Sequence, residues 1–161
     1  MTRPDISYAT IFHAKFTACA TPQHYDSLMD TARYLLSTSD LKMVYNKSYD
    51  CDGKVEIISD ADWAADSTDS KSYRGYAVML NDKPITWNCS KQSVVATSSF
   101  ESEYLALSEG VKAGLYISNL LGEIVDMIEP CILLVDNNAA KSFAESEGCN
   151  NRTKHLDSTL P

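Results

Sequence analysis

One short stretch of this sequence, Cys131–Val135, constrains the fold more than any other. It is apolar at every position, so a strand formed here has hydrophobic side chains on both faces and needs cover on both. Asp136 and Asn137 then follow, which is typical of a strand end that leads into a helix cap. The stretch therefore predicts a buried central or parallel strand in a sheet with helices packed against it.

Earlier patterns predict the other strands of that sheet. Residues 54–60 are short and rich in β-branched side chains, which favours a strand with Asp60 near its end. Residues 75–80 and 85–89 are two further strand-like runs, and the turn-forming sequence Asn81–Pro84 lies between them. These two runs predict an antiparallel hairpin.

Two helices complete the predicted second segment. Ser98, with Glu101 three residues later, is a capping-box start for a helix that runs to about Leu121. A shorter helix is expected from Ala139 to Glu145. From residue 50 the order is strand, hairpin, helix, strand, helix, which indicates an α/β fold with a mixed sheet and flanking helices.

The first segment has a helical pattern instead. Its start is expected at Thr21-Pro22, and the pattern breaks at Ser37–Asp40. Apolar residues recur at three- and four-residue spacings between these points, at Tyr25, Leu28, Met29, Ala32, Leu35 and Leu36. We therefore expect a small helical segment over residues 1–48 and the α/β domain over residues 49–161.

Composition excludes several classes of protein. The formal net charge is −8, and this surplus of carboxylates argues against tight nucleic-acid binding without a cation. No apolar run approaches the roughly 20 residues of a membrane helix, and the first residues lack the apolar stretch of a signal peptide. The five cysteines are scattered and odd in number, which favours reduced thiols and an intracellular protein.

Three carboxylates are notable for their positions. Asp60 and Asp136 end predicted strands, and Glu103 lies near the start of the capped helix. If the two strands are neighbours, their ends meet at one edge of the sheet, and the helix can add its Glu. A lone Asp at a strand end is more often a turn former or a cap. Together, however, three crowded carboxylates make physical sense mainly as a Mg²⁺ or Mn²⁺ site.

Several motifs resemble one known family, the copia-type LTR retrotransposon Pol polyproteins. The first two resemble the end of the reverse transcriptase region, and the other four resemble the ribonuclease H motifs in the order of that family. The similarity covers nearly the whole chain. The motifs are Thr2–Tyr8, Ala32–Leu35, Ser59–Ala64, Ser98–Leu107, Val135–Asn137 and Arg152–His155.

The resemblance implies a ribonuclease H-like domain that cuts the RNA strand of an RNA–DNA hybrid. The family uses carboxylates to bind two metal ions, Mg²⁺ or Mn²⁺, and Asp60, Glu103 and Asp136 match its first three. Asp62 is a near-miss candidate because its side chain is on the same face of the predicted strand as that of Asp60. Glu101 is another, although it is explained better as the capping-box partner of Ser98. Asp60 and Glu103 are preferred over both.

Four residues near the hairpin are candidates for contact with the nucleic-acid backbone: Ser72, Arg74, Lys91 and Gln92. Ribonuclease H-type enzymes select hybrids through groove shape and 2′-hydroxyls, so no base-reading motif is expected. The alternative interpretation of these four residues is ordinary solvated surface.

The chain also departs from the family pattern. In the family the motif Arg152–His155 opens a helix that leads to a further strand and a fourth catalytic Asp, whereas this chain ends at Pro161. Asp157 and His155 are given no catalytic role. We expect the last strand and helix to be missing and the remainder of a reverse transcriptase polyprotein to be a partner. By the same resemblance, the catalytic Asp residues of the polymerase would lie before Met1, so the chain is not expected to be a reverse transcriptase by itself.

Two readings of activity therefore stay open. One is a metal-dependent endonuclease, and the other is a catalytically inactive fragment or pseudogene remnant. An acidic binding domain unrelated to nucleases is a third, remote option. By resemblance, the expected location is the cytoplasm, in virus-like particles, or the nucleus.

Overall fold

A computed structural model describes residues 2–45, 53–124, 130–137 and 142 of the 161 residues. The chain divides into two compact units, Met1–Ser48 and Tyr49–Pro161, and each is treated by itself. The predicted helix 139–145 and the motif Arg152–His155 lie outside the described residues, apart from residue 142.

Residues 2–45 of the first unit form two α-helices. A 3-10 turn at Pro4–Ile6 leads into α1, Ser7–Ala14, and α2 spans Pro22–Ser37. The Thr21 hydroxyl accepts from the His24 backbone N–H, and the His24 ring accepts from the Thr21 N–H, which caps α2. The helix predicted from the apolar spacing is thereby confirmed.

In the second unit, the described residues form a mixed four-stranded sheet, which confirms the predicted α/β class. The strands are β1 (Val55–Asp62), β2 (Tyr73–Leu80), β3 (Lys83–Lys91) and β4 (Ile132–Leu134), in the order β3-β2-β1-β4. Strands β1, β2 and β3 pair antiparallel, and β4 pairs parallel to β1.

The hairpin between β2 and β3 turns more tightly than the sequence suggested. Asn81 and Asp82 form a two-residue connection with φ values of 47° and 62°, which Asn and Asp tolerate better than most side chains. Lys83 and Pro84, predicted as part of the turn, instead begin β3. Pro is accommodated because β3 lies at the edge of the described sheet and the β2–β3 register is irregular here.

Helix α3, Ser99–Gly122, packs against β1 and β2 and forms the core. The buried centre of that core is Val55, Ile57 and Val78. Gly110 and Gly114 face this centre from α3, and their missing side chains allow the helix to approach Ile57 closely. In the described ranges, none of the helices is both long and apolar enough to cross a membrane.

Strand β4 matches its prediction only in part. It is parallel to β1, as the apolar pattern indicated. Its three residues are nevertheless exposed, with Leu134 44% accessible. The reason is its position at the edge of the described sheet, where it pairs with β1 alone. The expectation of a fully buried strand was therefore wrong.

The close approach of α3 to β1 gives a stability prediction. We expect Gly114→Ala to lower the free energy of unfolding by about 1–3 kcal/mol through overpacking, although Ala favours a helix over Gly by about 1 kcal/mol. The reason is that a Cβ at position 114 would lie 2.6 Å from Cγ1 of the buried Ile57. Urea unfolding of the two proteins measures the difference.

Ile57→Ala provides the matching test. It leaves space for the new methyl group, so the double variant should cost clearly less than the sum of the two single variants. If the two single losses in the free energy of unfolding simply add in the double variant, the contact between positions 57 and 114 is not the cause of the loss in Gly114→Ala.

Candidate metal centre

The pairing of β1 with β4 determines where two of the candidate carboxylates lie. Ile58 of β1 is the register partner of Leu134 of β4, and the strands run in the same direction. Asp60 follows Ile58 by two residues, and Asp136 follows Leu134 by two residues. Because these steps are equal, the two carboxylates reach the same end of the sheet.

Helix α3 brings the third carboxylate. The Ser98 hydroxyl accepts from the Glu101 backbone N–H at 3.1 Å, so the predicted cap forms and fixes where the helix starts. Glu101 itself does not complete the predicted capping box with Ser98. Its Oε2 accepts from the backbone N–H and the hydroxyl of Thr97, both at 2.7 Å. Glu103 follows in the next turn of α3.

A second contact secures the approach to this helix. The indole N–H of Trp63, which follows β1, donates to the Ala96 carbonyl at 3.0 Å, just before the cap. Gln92 is buried, and its Nε2 donates to the Ser102 carbonyl at 2.9 Å. Both contacts tie the start of α3 to the strands. Sequence reasoning did not predict them, since they join residues distant along the chain.

The three elements bring Asp60, Glu103 and Asp136 together. Each offers a carboxylate oxygen, and these oxygens lie within 4.8 Å of one another. Glu103 is 8% exposed and its Oε2 is a buried atom without a hydrogen-bond partner, whereas both Asp residues are exposed. Among the described residues, no lysine or arginine pairs with any of the three.

Crowding of like charges has an electrostatic consequence. Burial, with the nearby charges of Asp60 and Asp136, raises the pKa of Glu103 to about 7, and a hydrogen bond from the Ala61 backbone only partly opposes the rise. The protein alone thus disfavours the fully ionised trio. A divalent cation would relieve this repulsion, and oxygen-only donors suit hard ions such as Mg²⁺ and Mn²⁺.

Asp62 lies outside this cluster. It is exposed at the end of β1, opposite Tyr73 of β2, and is not among the oxygens that converge. Its position makes it a matched control for Asp60 because it has the same residue type on the same strand.

The four candidate contacts for a nucleic-acid backbone are engaged within the protein. The Ser72 hydroxyl is buried and accepts from the Ala64 N–H at 3.1 Å, and Gln92 is buried as described above. The Arg74 Nε donates to the Ser90 hydroxyl at 3.1 Å. These contacts show what the side chains do in the fold, and binding to nucleic acid stays a prediction.

Lys91, the fourth of these residues, belongs to an ion-pair cluster that the sequence did not reveal. Its Nζ lies 2.6 Å from Oδ2 of the buried Asp66 and 2.9 Å from Oδ2 of Asp69. Hydrogen bonds to these two carboxylates raise the pKa of Lys91 to about 12. The cluster anchors the loop between β1 and β2.

Comparison with known proteins finds relatives along nearly the whole chain. The retrovirus-related Pol polyprotein from transposon RE2 of Arabidopsis thaliana is 33% identical over 156 residues, which cover 96% of this chain and 11% of the polyprotein. The resemblance to transposon Pol polyproteins predicted from the motifs is thereby confirmed. The chain spans about a tenth of the length of these polyproteins.

Two other similarities are of a different kind. The secreted RxLR effector protein 161 of Plasmopara viticola is 34% identical over 120 residues, 73% of this chain and 82% of the effector. The structure of LC11-RNase H1 in complex with an RNA/DNA hybrid matches 65% of this chain and 72% of its own, with 11% identity and a TM-score of 0.43. No protein-family profile matches the chain.

The raised pKa of Glu103 predicts a pH dependence of stability without metal. An unfolded Glu has a pKa near 4.5, so between that value and about 7 the folded state binds more protons and loses stability as the pH rises. Glu103→Gln removes the charge and should therefore stabilise the chain at pH 8 by roughly 1–3 kcal/mol, with little gain at pH 4.

Denaturant unfolding in a chelator at both pH values measures this effect. Asp62→Asn serves as the control, because it removes an exposed carboxylate outside the cluster. An equal gain for Glu103→Gln at both pH values would contradict the electrostatic cause.

Proposed function

We propose that the second unit is a ribonuclease H-type endonuclease domain of a copia-type Pol polyprotein and hydrolyses the RNA strand of RNA–DNA hybrids. The observation that carries the proposal is the convergence of Asp60, Glu103 and Asp136 from three separate elements. The first unit, residues 1–48, is proposed to be the end of the reverse transcriptase region that precedes it.

The three carboxylates fit a divalent cation. The orphaned, buried Oε2 of Glu103 lacks a partner that a cation would supply, and the two exposed Asp residues leave the cluster accessible from solvent. Asp60, Glu103 and Asp136 would bind the metal, and the family resemblance implies two metal ions. When bound, such ions activate water for attack on a phosphodiester and stabilise the leaving oxygen.

The protein contributes position and charge. Asp60 lies within β1, Asp136 follows the last β1–β4 pair by two residues, and Glu103 lies in the capped first turns of α3. Asp60 on strand β1 and Glu103 on helix α3 are carried by regular elements rather than by loops. Such elements keep the carboxylate oxygens close despite their repulsion. Because the chain carries net charge −8, the cation also lowers the electrostatic cost of approach by an anionic hybrid.

Arg74 is the proposed contact for a hybrid backbone. It lies on β2 next to the Asp60 ladder position, and its Nη1 is 3.9 Å from the carboxylate of the half-exposed Glu109. That ion pair is long and partly exposed, so little energy is lost if the guanidinium turns to a phosphate.

The alternative is a catalytically inactive fragment. A trio of carboxylates shows where a cation could bind and does not by itself show cleavage. The two proposals differ in their outcome, because an inactive chain can bind a cation at the trio and still leave a hybrid intact.

A cleavage and binding experiment separates them. We expect the chain to bind Mn²⁺, measured by calorimetry, and to cut the labelled RNA of an RNA–DNA hybrid when Mg²⁺ or Mn²⁺ is present. Asp60→Asn and Glu103→Gln should each slow cutting about a hundredfold or more, because each removes a negative ligand.

Asp62→Asn is the matched control and should cut at the rate of the unchanged chain. Binding of Mn²⁺ without cutting would support the inactive alternative. A folded chain that neither binds Mn²⁺ nor cuts the hybrid would overturn the proposed metal centre.

A further inference from the structure

Gly75 is a glycine that the described fold does not require. It lies in the middle of strand β2, where a glycine normally weakens a strand because it offers no side chain for packing. Its φ lies outside the left-handed region, and among the described residues a Cβ at position 75 would meet only the Asn88 carbonyl oxygen, at 3.7 Å. That is an ordinary van der Waals distance, whereas Gly110 and Gly114 are needed for close packing. Strand β2 therefore has a glycine where a small side chain would fit.

The missing side chain leaves a gap beside the candidate metal centre. Gly75 is the register partner of Asp60 on β1 and of Cys89 on β3, and the side chains of register partners lie on the same face of a sheet. This face is the one opposite α3, because the next residue, Tyr76, faces Gly110 of α3 and side chains alternate along a strand. The surface between Asp60 and Cys89 is therefore low, and we call it the Gly75 gap.

Larger groups limit the Gly75 gap along β2 in both directions. Two residues before Gly75, Tyr73 is buried, and its hydroxyl donates to Asp66 of the loop between β1 and β2 at 3.4 Å. Two residues after Gly75, Ala77 is opposite Ile58 of β1, which is 42% exposed and projects from this face. The gap in the described surface is therefore confined to the row of Gly75.

We propose that the sugar–phosphate backbone of the RNA strand lies in the Gly75 gap, so that Gly75 sets how closely this strand approaches the candidate metal centre. This role rests on the proposed function and names the part of the substrate that meets β2. A glycine within a strand is typical of a point where a ligand or another backbone approaches closely. Gly75 is thus a specificity-determining residue that acts through the absence of a side chain.

The chemistry on both sides of the gap suits an anionic backbone that approaches a bound cation. Burial raises the pKa of the Cys89 thiol, so this side of the gap stays neutral and does not repel a phosphate. On the other side, Asp60 is exposed and belongs to the trio in which the buried Oε2 of Glu103 has no hydrogen-bond partner. A cation at the trio would neutralise that side and attract a phosphate placed in the gap.

Two substitutions that fill the gap, Gly75→Ala and Gly75→Val, test this role. We expect kcat/KM for cutting of the hybrid to fall about tenfold or more in Gly75→Val, because the side chain displaces the RNA strand from the cation. The loss in Gly75→Ala should be smaller. The affinity for Mn²⁺, measured by calorimetry, and the midpoint of urea unfolding should not fall, since neither change removes a ligand or a core contact.

Ala77→Val is the matched control. It adds bulk to the same face of β2, but one row away, beside the projecting Ile58. It should leave kcat/KM for the hybrid unchanged. An equal loss in Ala77→Val and Gly75→Val would overturn the proposed role, because bulk anywhere on this face would then have the same effect.

The role of Gly75 and the proposed function can fail separately. If the unchanged chain cuts the hybrid and Gly75→Val cuts it equally well, the role is wrong and the proposed function stands. A clear loss of stability in Gly75→Ala also overturns the role, because another part of the protein then fills the gap.

If the unchanged chain binds the hybrid without cutting it, the comparison is made on binding, by fluorescence anisotropy of a labelled hybrid with Mn²⁺. Weaker binding by Gly75→Val then supports the gap and the inactive alternative together, and equal binding overturns the gap. A folded, unchanged chain that neither binds nor cuts the hybrid overturns both the role of Gly75 and the proposed function.

Discussion

The contact between α3 and β1 determines the geometry of the described part of the second unit. Gly110 and Gly114 let the helix axis come close to Ile57, which is almost fully buried. A larger side chain at either position would push the helix outward, and Glu103 lies on the same rigid helix, about two turns before Gly110. Packing in the core therefore sets the distance between carboxylates that repel each other.

That relation explains why the crowded trio is tolerated. The repulsion is concentrated on one buried group, Glu103, whose pKa is raised, while Asp60 and Asp136 stay in contact with water. The core contacts that bring the three groups together are apolar and do not depend on their charge. The fold can thus exist without a cation and still present a site that favours one.

Local patterns in the sequence were sufficient for most elements. The cap at Ser98, the apolar spacing of α2 and the β-branched run of β1 each depend on neighbouring residues alone, and all three predictions were confirmed. Helix α1 was missed because it has only eight residues and no side-chain cap at its start. The convergence of the three carboxylates followed from the order of elements, but the Asp66–Lys91 cluster and the Trp63 contact could not be predicted, since they depend on tertiary packing.

The three carboxylates are held by elements of unequal length. Asp60 lies on an eight-residue strand and Glu103 on a 24-residue helix, whereas Asp136 follows a strand of three residues with an exposed surface. Such a short edge strand has few contacts to lose, so it can detach in a local opening while the core stays intact. A cation bound at the proposed site would then be thermodynamically coupled to the pairing of β4 with β1, and the stability of this described edge of the sheet would contribute to the affinity.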